Sequence, residues 1–223
     1  MKNYYITTPI YYCNDLPHLG HAYTNIACDI LARYHRLDNK NVYFLTGTDE
    51  HGQKVEQSAK SKNTSTKELT DRMSKNFLDL TKILNCTNND FIRTTEERHK
   101  ISVHKLWNIL LKNDQIYLDK YKGWYSIRDE AFFDEKELKK INSEYYAPTG
   151  AKVEWIEEES YFFRLSNWTD KLLEFYDKNP DFVAPDTRFN EVKSFVKSGL
   201  KDLSISRTTF NWGIPVPNNN NHV

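Results

Sequence analysis

The opening of the chain restricts its fold more than any other feature: a strand pattern runs through a glycine-containing loop straight into a long amphipathic helix. Residues Tyr4 to Ile10 are largely β-branched or aromatic and meet a loop at Pro9, which suits a buried strand. From Gly20 to Arg36 the apolar residues Ala22, Ile26, Ile30, Leu31 and Tyr34 recur at helical spacing and predict one buried stripe. Asn41 to Thr46 reads as a second strand. His51 to Lys60 and Lys67 to Leu84 read as helices, the latter carrying Leu69, Met73, Phe77, Leu80 and Leu84 on one face. Phe91 to Arg93 resembles a short third strand, and Glu96 to Lys112 a further amphipathic helix. This alternation predicts an α/β fold, a parallel sheet with right-handed crossovers and a ligand site at the carboxyl ends of its strands.

After Gln115 the pattern changes. Short aromatic strands (Ile116 to Leu118, Trp124 to Ile127, Ala131 to Phe133) alternate with charged turns, and helices are expected only at Trp168 to Tyr176 and Asn190 to Lys201. Trp212 to Pro217 leads into a polar turn at Asn218 to Asn221. Lys plus Arg and Asp plus Glu are 31 each, so the net charge is 31 − 31 = 0 and a polyanion would have to be met by a local patch. Lys120, Lys122, Arg128, Lys139 and Lys140 are the candidate patch, with a solvated lysine face as the alternative. Cys13, Cys28 and Cys86 are widely spaced and never Cys-x-x-Cys, so free thiols are expected. The short apolar runs and the absence of a signal-like apolar segment near Met1 predict a cytoplasmic protein that does not enter a membrane.

Two histidines, His18 and His21, stand three apart where the loop meets the helix start in Pro17-His18-Leu19-Gly20-His21. A helix N-terminus offers unpaired N–H donors and a partial positive charge, and Gly20 has no side chain to obstruct a phosphate. The same pair read alone is more often a surface or capping feature, and it lacks the glutamate of a His-Glu-x-x-His metal helix. Asp49, just past the second strand, is placed either to pair with an ammonium group or to cap the following helix. Arg72-Met73-Ser74-Lys75-Asn76 falls inside a predicted helix with Met73 on its apolar stripe and is read as core.

Pro17-His18-Leu19-Gly20-His21 after an opening strand resembles the first signature of the class I aminoacyl-tRNA synthetases. Thr8-Pro9-Ile10-Tyr11-Tyr12 before it, and Leu45-Thr46-Gly47-Thr48-Asp49-Glu50-His51-Gly52-Gln53-Lys54 after the second strand, resemble the methionyl-tRNA synthetases among them. The likeness continues through Tyr121 to Ser126, Tyr161 to Leu165, Asp202 to Arg207 and Trp212 to Pro215. It implies a Rossmann-like parallel sheet with an inserted α+β connective-peptide module. The corresponding divisions are residues 1–115 for the first half of the catalytic domain, 116–212 for the insert and 213–223 for the start of the return.

The resemblance implies activation of L-methionine with ATP, then transfer to tRNA(Met), with magnesium carried by ATP. It assigns Pro17, His18, Gly20 and His21 to ATP, with the two histidines stabilising phosphate charge. Ile10, Tyr12 and Asp49 go to methionine, and Arg207 to the active site. Read without it, Ile10 and Tyr12 are ordinary core positions and Arg207 a surface charge. Ser126 and Asp129 stand where many members carry a Cys-x-x-Cys pair, so no zinc is expected; the insert would be held by Trp124, Phe132, Phe133, Trp155 and Phe162. The family's mobile second signature loop and anticodon-binding helices have no counterpart in this chain. Two readings therefore stand side by side: a ligase fragment, and a catalytically inactive fragment that binds nucleotide or the tRNA acceptor end. A class I ligase for leucine, isoleucine or valine is disfavoured by the Leu45 to Lys54 match and the short insert.

Overall fold

A computed structural model describes residues 2–129 and 131–223 and separates the chain into two compact units. The first comprises residues 1–103 with 212–214, and the second residues 104–211 with 215–223.

The first unit opens with β1 (Asn3–Thr7) and the two-residue β2 (Tyr11–Tyr12), then α1 (Leu19–Leu37) and β3 (Asn41–Asp49). Helices α2 (Gln53–Ser61) and α3 (Thr66–Ile83) precede β4 (Asp90–Arg93). Every strand pairing is parallel. β3 lies between β1 (Thr7 opposite Leu45) and β4 (Gly47 opposite Ile92), and β2 joins its carboxyl end with Tyr12 opposite Asp49. The expected α/β order with a parallel sheet is therefore present, with α1 leading into β3 and α2 and α3 leading into β4 as the crossovers that parallel pairing requires.

Two clusters make the core of this unit. Tyr11, Cys13, Val55, Ala59, Leu69, Met73 and Phe77 pack between the sheet, α2 and α3, while Ala32, Val42 and Phe44 pack beneath α1. Leu69, Met73 and Phe77 of the α3 stripe are buried as its periodicity predicts, while Leu80 and the C-cap Leu84 are half-buried. Ser65 and Glu68 start that helix with a capping box, and Met73 and Ser74 of the Arg72–Asn76 segment are buried in its middle.

Helix α1 departs from expectation. Ile26, Ile30, Leu31 and Tyr34 are all exposed, and the buried positions are Asn25, Asp29 and Ala32. Ala32 and Cys28 of α1 pack in the sheet-side cluster, and the positions beside them are polar anchors. Asp29 accepts from the Thr87 amide and hydroxyl, both at 2.6 Å, and from Arg33 at 2.6 Å, while Arg33 and Arg36 donate to the carbonyls of Asn85 and Thr87. These bonds tie the turn after α3 to the helix and outweigh burial, so the Asp29 carboxyl sits below its ordinary pKa.

Helix α4 (Glu97–Lys112) contains the division between the units. In the second unit β5 (Ile116–Ser126) and β9 (Lys152–Phe163) form a long antiparallel ladder, with β6 (Ala131–Phe133), β7 (Lys139–Ile141) and β8 (Glu144–Tyr146) between them in sequence. The two expected strands at 116–118 and 124–127 are one strand, because Lys120 and Lys122 face Glu159 and Glu157 across the ladder. Helices α5 (Thr169–Lys178) and α6 (Asp186–Lys197) and the short β10 (Leu203–Ser204) follow. α6 begins four residues before its expected start, with Pro185 as its N-cap, and gives way to Gly199 in the left-handed region at φ 94°.

At the end of β5 the Ser126 hydroxyl donates to Asp129 at 2.9 Å and accepts from the Asp129 amide at 3.1 Å. Thr149 Oγ1 closes the knot by donating to the same carboxylate at 2.6 Å. Trp124, Phe133 and Tyr145 pack against Ala147, Ala151 and Val153, and Trp155 meets Trp124 edge-on with ring centroids 5.4 Å apart. Phe162 stacks instead on Tyr117, and the Phe132 side chain lies outside those described. Among the described residues no helix is long and apolar enough to cross a membrane.

Gly47 is a packing requirement. A Cβ there would stand 2.0 Å from the Ile92 carbonyl oxygen of β4, a backbone atom that moves only if the strands part. Gly47→Ala is expected to destabilise the first unit by about 2 kcal/mol or more, measured as a lower urea midpoint.

Candidate active site at the carboxyl ends of β1, β2 and β3

The carboxyl end of β3 delivers two adjacent carboxylates with opposite fates. Asp49 is the last residue of the strand, and its carbonyl accepts from the Cys13 amide at 3.2 Å. The cap of α2 is Gly52, so Asp49 does not cap that helix. Glu50 is fully buried. Its carboxylate takes Arg93 in a fork, Nε at 2.7 Å and Nη2 at 3.0 Å, and accepts from Thr48 Oγ1 at 2.8 Å and from the Thr95 hydroxyl. Arg93 Nη2 also donates to Asp71 of α3 at 2.6 Å, and hydrogen bonding to Glu50 raises its pKa further. The Glu50 amide donates to Thr94 Oγ1 at 2.9 Å, and the Trp212 indole donates to its carbonyl. Gly52 N–H donates to the Trp212 carbonyl at 3.1 Å, which closes the turn. Sequence reasoning missed this device; the available signal was an Asp-Glu pair ending one strand and an arginine ending the next.

His18 and His21 stand at the start of α1 with ring centroids 3.8 Å apart. His18 is the N-cap, and its Nδ1 accepts from the Gly20 amide at 3.1 Å. His21 Nδ1 accepts from the His18 amide at 3.0 Å. The His21 ring lies edge-on to Tyr11 at 4.7 Å and to Phe77 at 5.0 Å, and burial with the adjacent His18 lowers its pKa. Gly20 allows this closeness, since a Cβ would lie 2.9 Å from His18 Cε1. Pro17 is half-buried immediately before the cap. The capping and phosphate-facing readings of the pair are therefore compatible, because the capping atoms are on one edge of each ring.

Ile10 and Tyr12 are 39% and 44% exposed, so neither is a core residue; Lys54 Nζ lies 5.6 Å from the Tyr12 ring. Tyr12 and Asp49 are register partners, so the structure places them side by side. Cys13 beneath them is fully buried, and burial pushes its thiol up to about 12, which keeps it protonated and inert at neutral pH. All three cysteines are free.

Arg207 belongs to the second unit. Its Nη1 donates to Ser204 Oγ and the Ser206 carbonyl, each at 2.7 Å, and its backbone pairs with Val223. Ser206 Oγ meets the buried His222 Nδ1 at 3.0 Å and accepts from the Tyr161 amide at 2.9 Å, while Glu158 accepts from the Thr208 and Thr209 amides. The segment is thus held on both sides of Arg207. Of the candidate basic patch, Lys122 pairs with Glu157 at 2.9 Å, Arg128 donates to the Thr149 carbonyl, and Lys140 lies over the Tyr145 ring. The β5 lysines face glutamates, so this surface is of mixed sign.

The sequence profile described as tRNA synthetases class I (M) matches residues 4–223. The methionine–tRNA ligase of Rickettsia felis is 63% identical over the whole of this chain, which covers 43% of that protein. The methionine–tRNA ligase of Mesorhizobium japonicum is 56% identical, again over the whole chain and 43% of the relative. The solved structure of Mycobacterium tuberculosis methionyl-tRNA synthetase in complex with methionyl-adenylate superposes with a TM-score of 0.96 at 52% identity, over all of this chain and 44% of that one. The chain spans less than half the length of these relatives.

Two outcomes test the site's electrostatics. Glu50→Gln leaves the Arg93 guanidinium paired with Asp71 but without its buried carboxylate, and is expected to cost the first unit roughly 1–3 kcal/mol in urea unfolding. His51 is held down to about 4, mainly by burial, so between pH 6.5 and about 4 the unfolded chain binds a proton the folded one refuses. Stability therefore falls as pH drops through that window. His51→Gln is expected to show a shallower fall when the two unfolding curves are compared.

Proposed function

We propose that this chain, which belongs to the tRNA synthetases class I (M) family, carries the ATP- and methionine-binding part of a methionine–tRNA ligase. The reaction is activation of L-methionine by ATP to methionyl-adenylate, followed by transfer of the methionyl group to tRNA(Met) in the cytoplasm. The observation that carries the reading is the juxtaposition of the His18–His21 helix start with the Tyr12–Asp49 strand ends at the carboxyl edge of one parallel sheet. The 54–63% identity to methionine–tRNA ligases over essentially the whole chain supports it.

In the first step a methionine carboxylate oxygen attacks the α-phosphorus of ATP, the bond to the bridging oxygen of pyrophosphate breaks, and pyrophosphate leaves with the electron pair. No protein nucleophile is needed, so the residues position the reactants and meet developing phosphate charge. His18 and His21 donate to phosphate oxygens, with Pro17 and Gly20 shaping the approach to the helix amides. Magnesium enters as part of the ATP substrate. Asp49 pairs with the methionine ammonium and so turns its carboxylate toward the nucleotide. Ile10 and Tyr12 form the wall for the thioether, which gains from apolar burial and sulfur–aromatic contact. Arg207 is a further active-site candidate on its sequence motif.

The test is methionine-dependent ATP–pyrophosphate exchange by this 223-residue chain, with leucine and isoleucine as controls. Exchange with methionine alone is expected. Loss of a phosphate donor in His21→Ala should reduce it on the order of 100-fold. Asp49→Asn should raise the methionine Kd about 10-fold or more in calorimetry while leaving the ATP Kd within a factor of two. Exchange driven by leucine or isoleucine would overturn the specificity. ATP binding without exchange would favour the second reading, a nucleotide-binding fragment.

A further inference from the structure

The same two imidazoles serve the helix and the ligand from opposite edges. We infer that the His18–His21 capping box locks both rings as neutral Nε2–H tautomers, so that phosphate is met by two uncharged donors rather than by an imidazolium. The inference rests on the reading of this helix start as the phosphate site.

A backbone N–H can only donate, so a ring nitrogen that receives one must present a lone pair. His18 Nδ1 receives the Gly20 amide at 3.1 Å, and His21 Nδ1 receives the His18 amide at 3.0 Å. Neither Nδ1 can then carry a proton, and a neutral imidazole must carry it on Nε2. Such a box is ordinarily built from serine or threonine at the cap and glutamate or glutamine three residues on. An acidic residue in the third position would place a negative charge beside an incoming phosphate. Histidine supplies the acceptor and keeps a donor on the far side of the ring.

Packing holds the arrangement. Tyr11 is 6% exposed and Phe77 1% exposed; their rings stack 5.3 Å apart and both stand edge-on to His21. They are positioning residues, since the cap fixes one edge of the His21 ring and they confine its plane. Protonating either Nδ1 would place two donors face to face and open the cap. The charge supplied to phosphate is therefore the helix terminus itself, with the two Nε2–H groups adding direction.

The experiment is long-range proton–nitrogen correlation NMR on the 15N-labelled 223-residue chain without ligand at pH 7.5. Both residues should show an unprotonated Nδ1 and a protonated Nε2. An Nδ1–H form, or averaging between tautomers at either residue, would overturn the proposal. Two substitutions then separate the edges. Glutamine is an ordinary residue at this position of a capping box, so His21→Gln keeps an acceptor for the His18 amide while removing the ring Nε2–H, whereas His21→Ala removes both. His21→Gln should leave hydrogen exchange of the His18 amide close to wild type and weaken ATP binding roughly 10- to 100-fold. His21→Ala should speed exchange at the His18 amide about tenfold, the scale of a lost cap, and bind ATP no better than the Gln variant. Equal behaviour of the two variants in exchange would overturn the assignment of the edges. Correct tautomers in a chain that binds no ATP would instead overturn the phosphate reading and leave the cap intact.

Discussion

The Glu50 carboxylate is fully buried in the first unit, and its neighbours are arranged around meeting the cost of taking that charge out of water. A carboxylate at zero exposure must be paired and hydrogen-bonded on both oxygens or it protonates. Arg93 reaches it from the end of β4, Thr48 from β3 and Thr95 from the turn after β4. The same guanidinium holds Asp71 of α3. One ion pair thereby links two strand ends and a helix that are far apart in sequence, and Trp212 adds a residue from the other end of the chain through the Glu50 carbonyl.

Asp49, one residue earlier, ends β3 beside Tyr12 at the carboxyl edge of the sheet. Glu50 follows at once, fully buried and forked onto Arg93, so the backbone at the end of the strand is fixed. The histidine pair is treated similarly. Its Nδ1 atoms are satisfied by backbone amides of its own helix start, and the rings are held by the core residues Tyr11 and Phe77. In both places a buried or self-satisfied group fixes the geometry of the residues beside it. Such division suits a reaction whose catalysis is chiefly positioning.

Much of this was legible in the residues. The alternation of β and α and the Pro17–His21 and Leu45–Lys54 motifs led to the sheet and to its carboxyl edge. The α3 stripe of Leu69, Met73 and Phe77 was read correctly because that helix packs on apolar neighbours. The α1 stripe misled for the opposite reason: beside Ala32 and Cys28 the helix is committed to Asp29, Arg33 and Arg36 holding the 85–87 turn, a partnership invisible to periodicity. β9 has no counterpart among the expected strands, because Glu154 and Glu157 to Glu159 interrupt any apolar alternation in 152–163, whereas Glu158 is a buried acceptor for two backbone amides. Glu50 was passed over because burial of an acid depends on a partner 43 residues away.

The Ser126–Asp129–Thr149 knot sets what kind of chemical insult the tip of the second unit must endure. Hydroxyls and a carboxylate have no thiol for peroxide to oxidise. Hydrogen bonding from Thr149 and Ser126 lowers the Asp129 pKa, so the knot's contribution is present above the ordinary carboxylate range and fades as pH falls through the depressed value. The turn trades exposure to oxidants for exposure to acid, a favourable exchange in any compartment where peroxide fluctuates and pH is held near neutral.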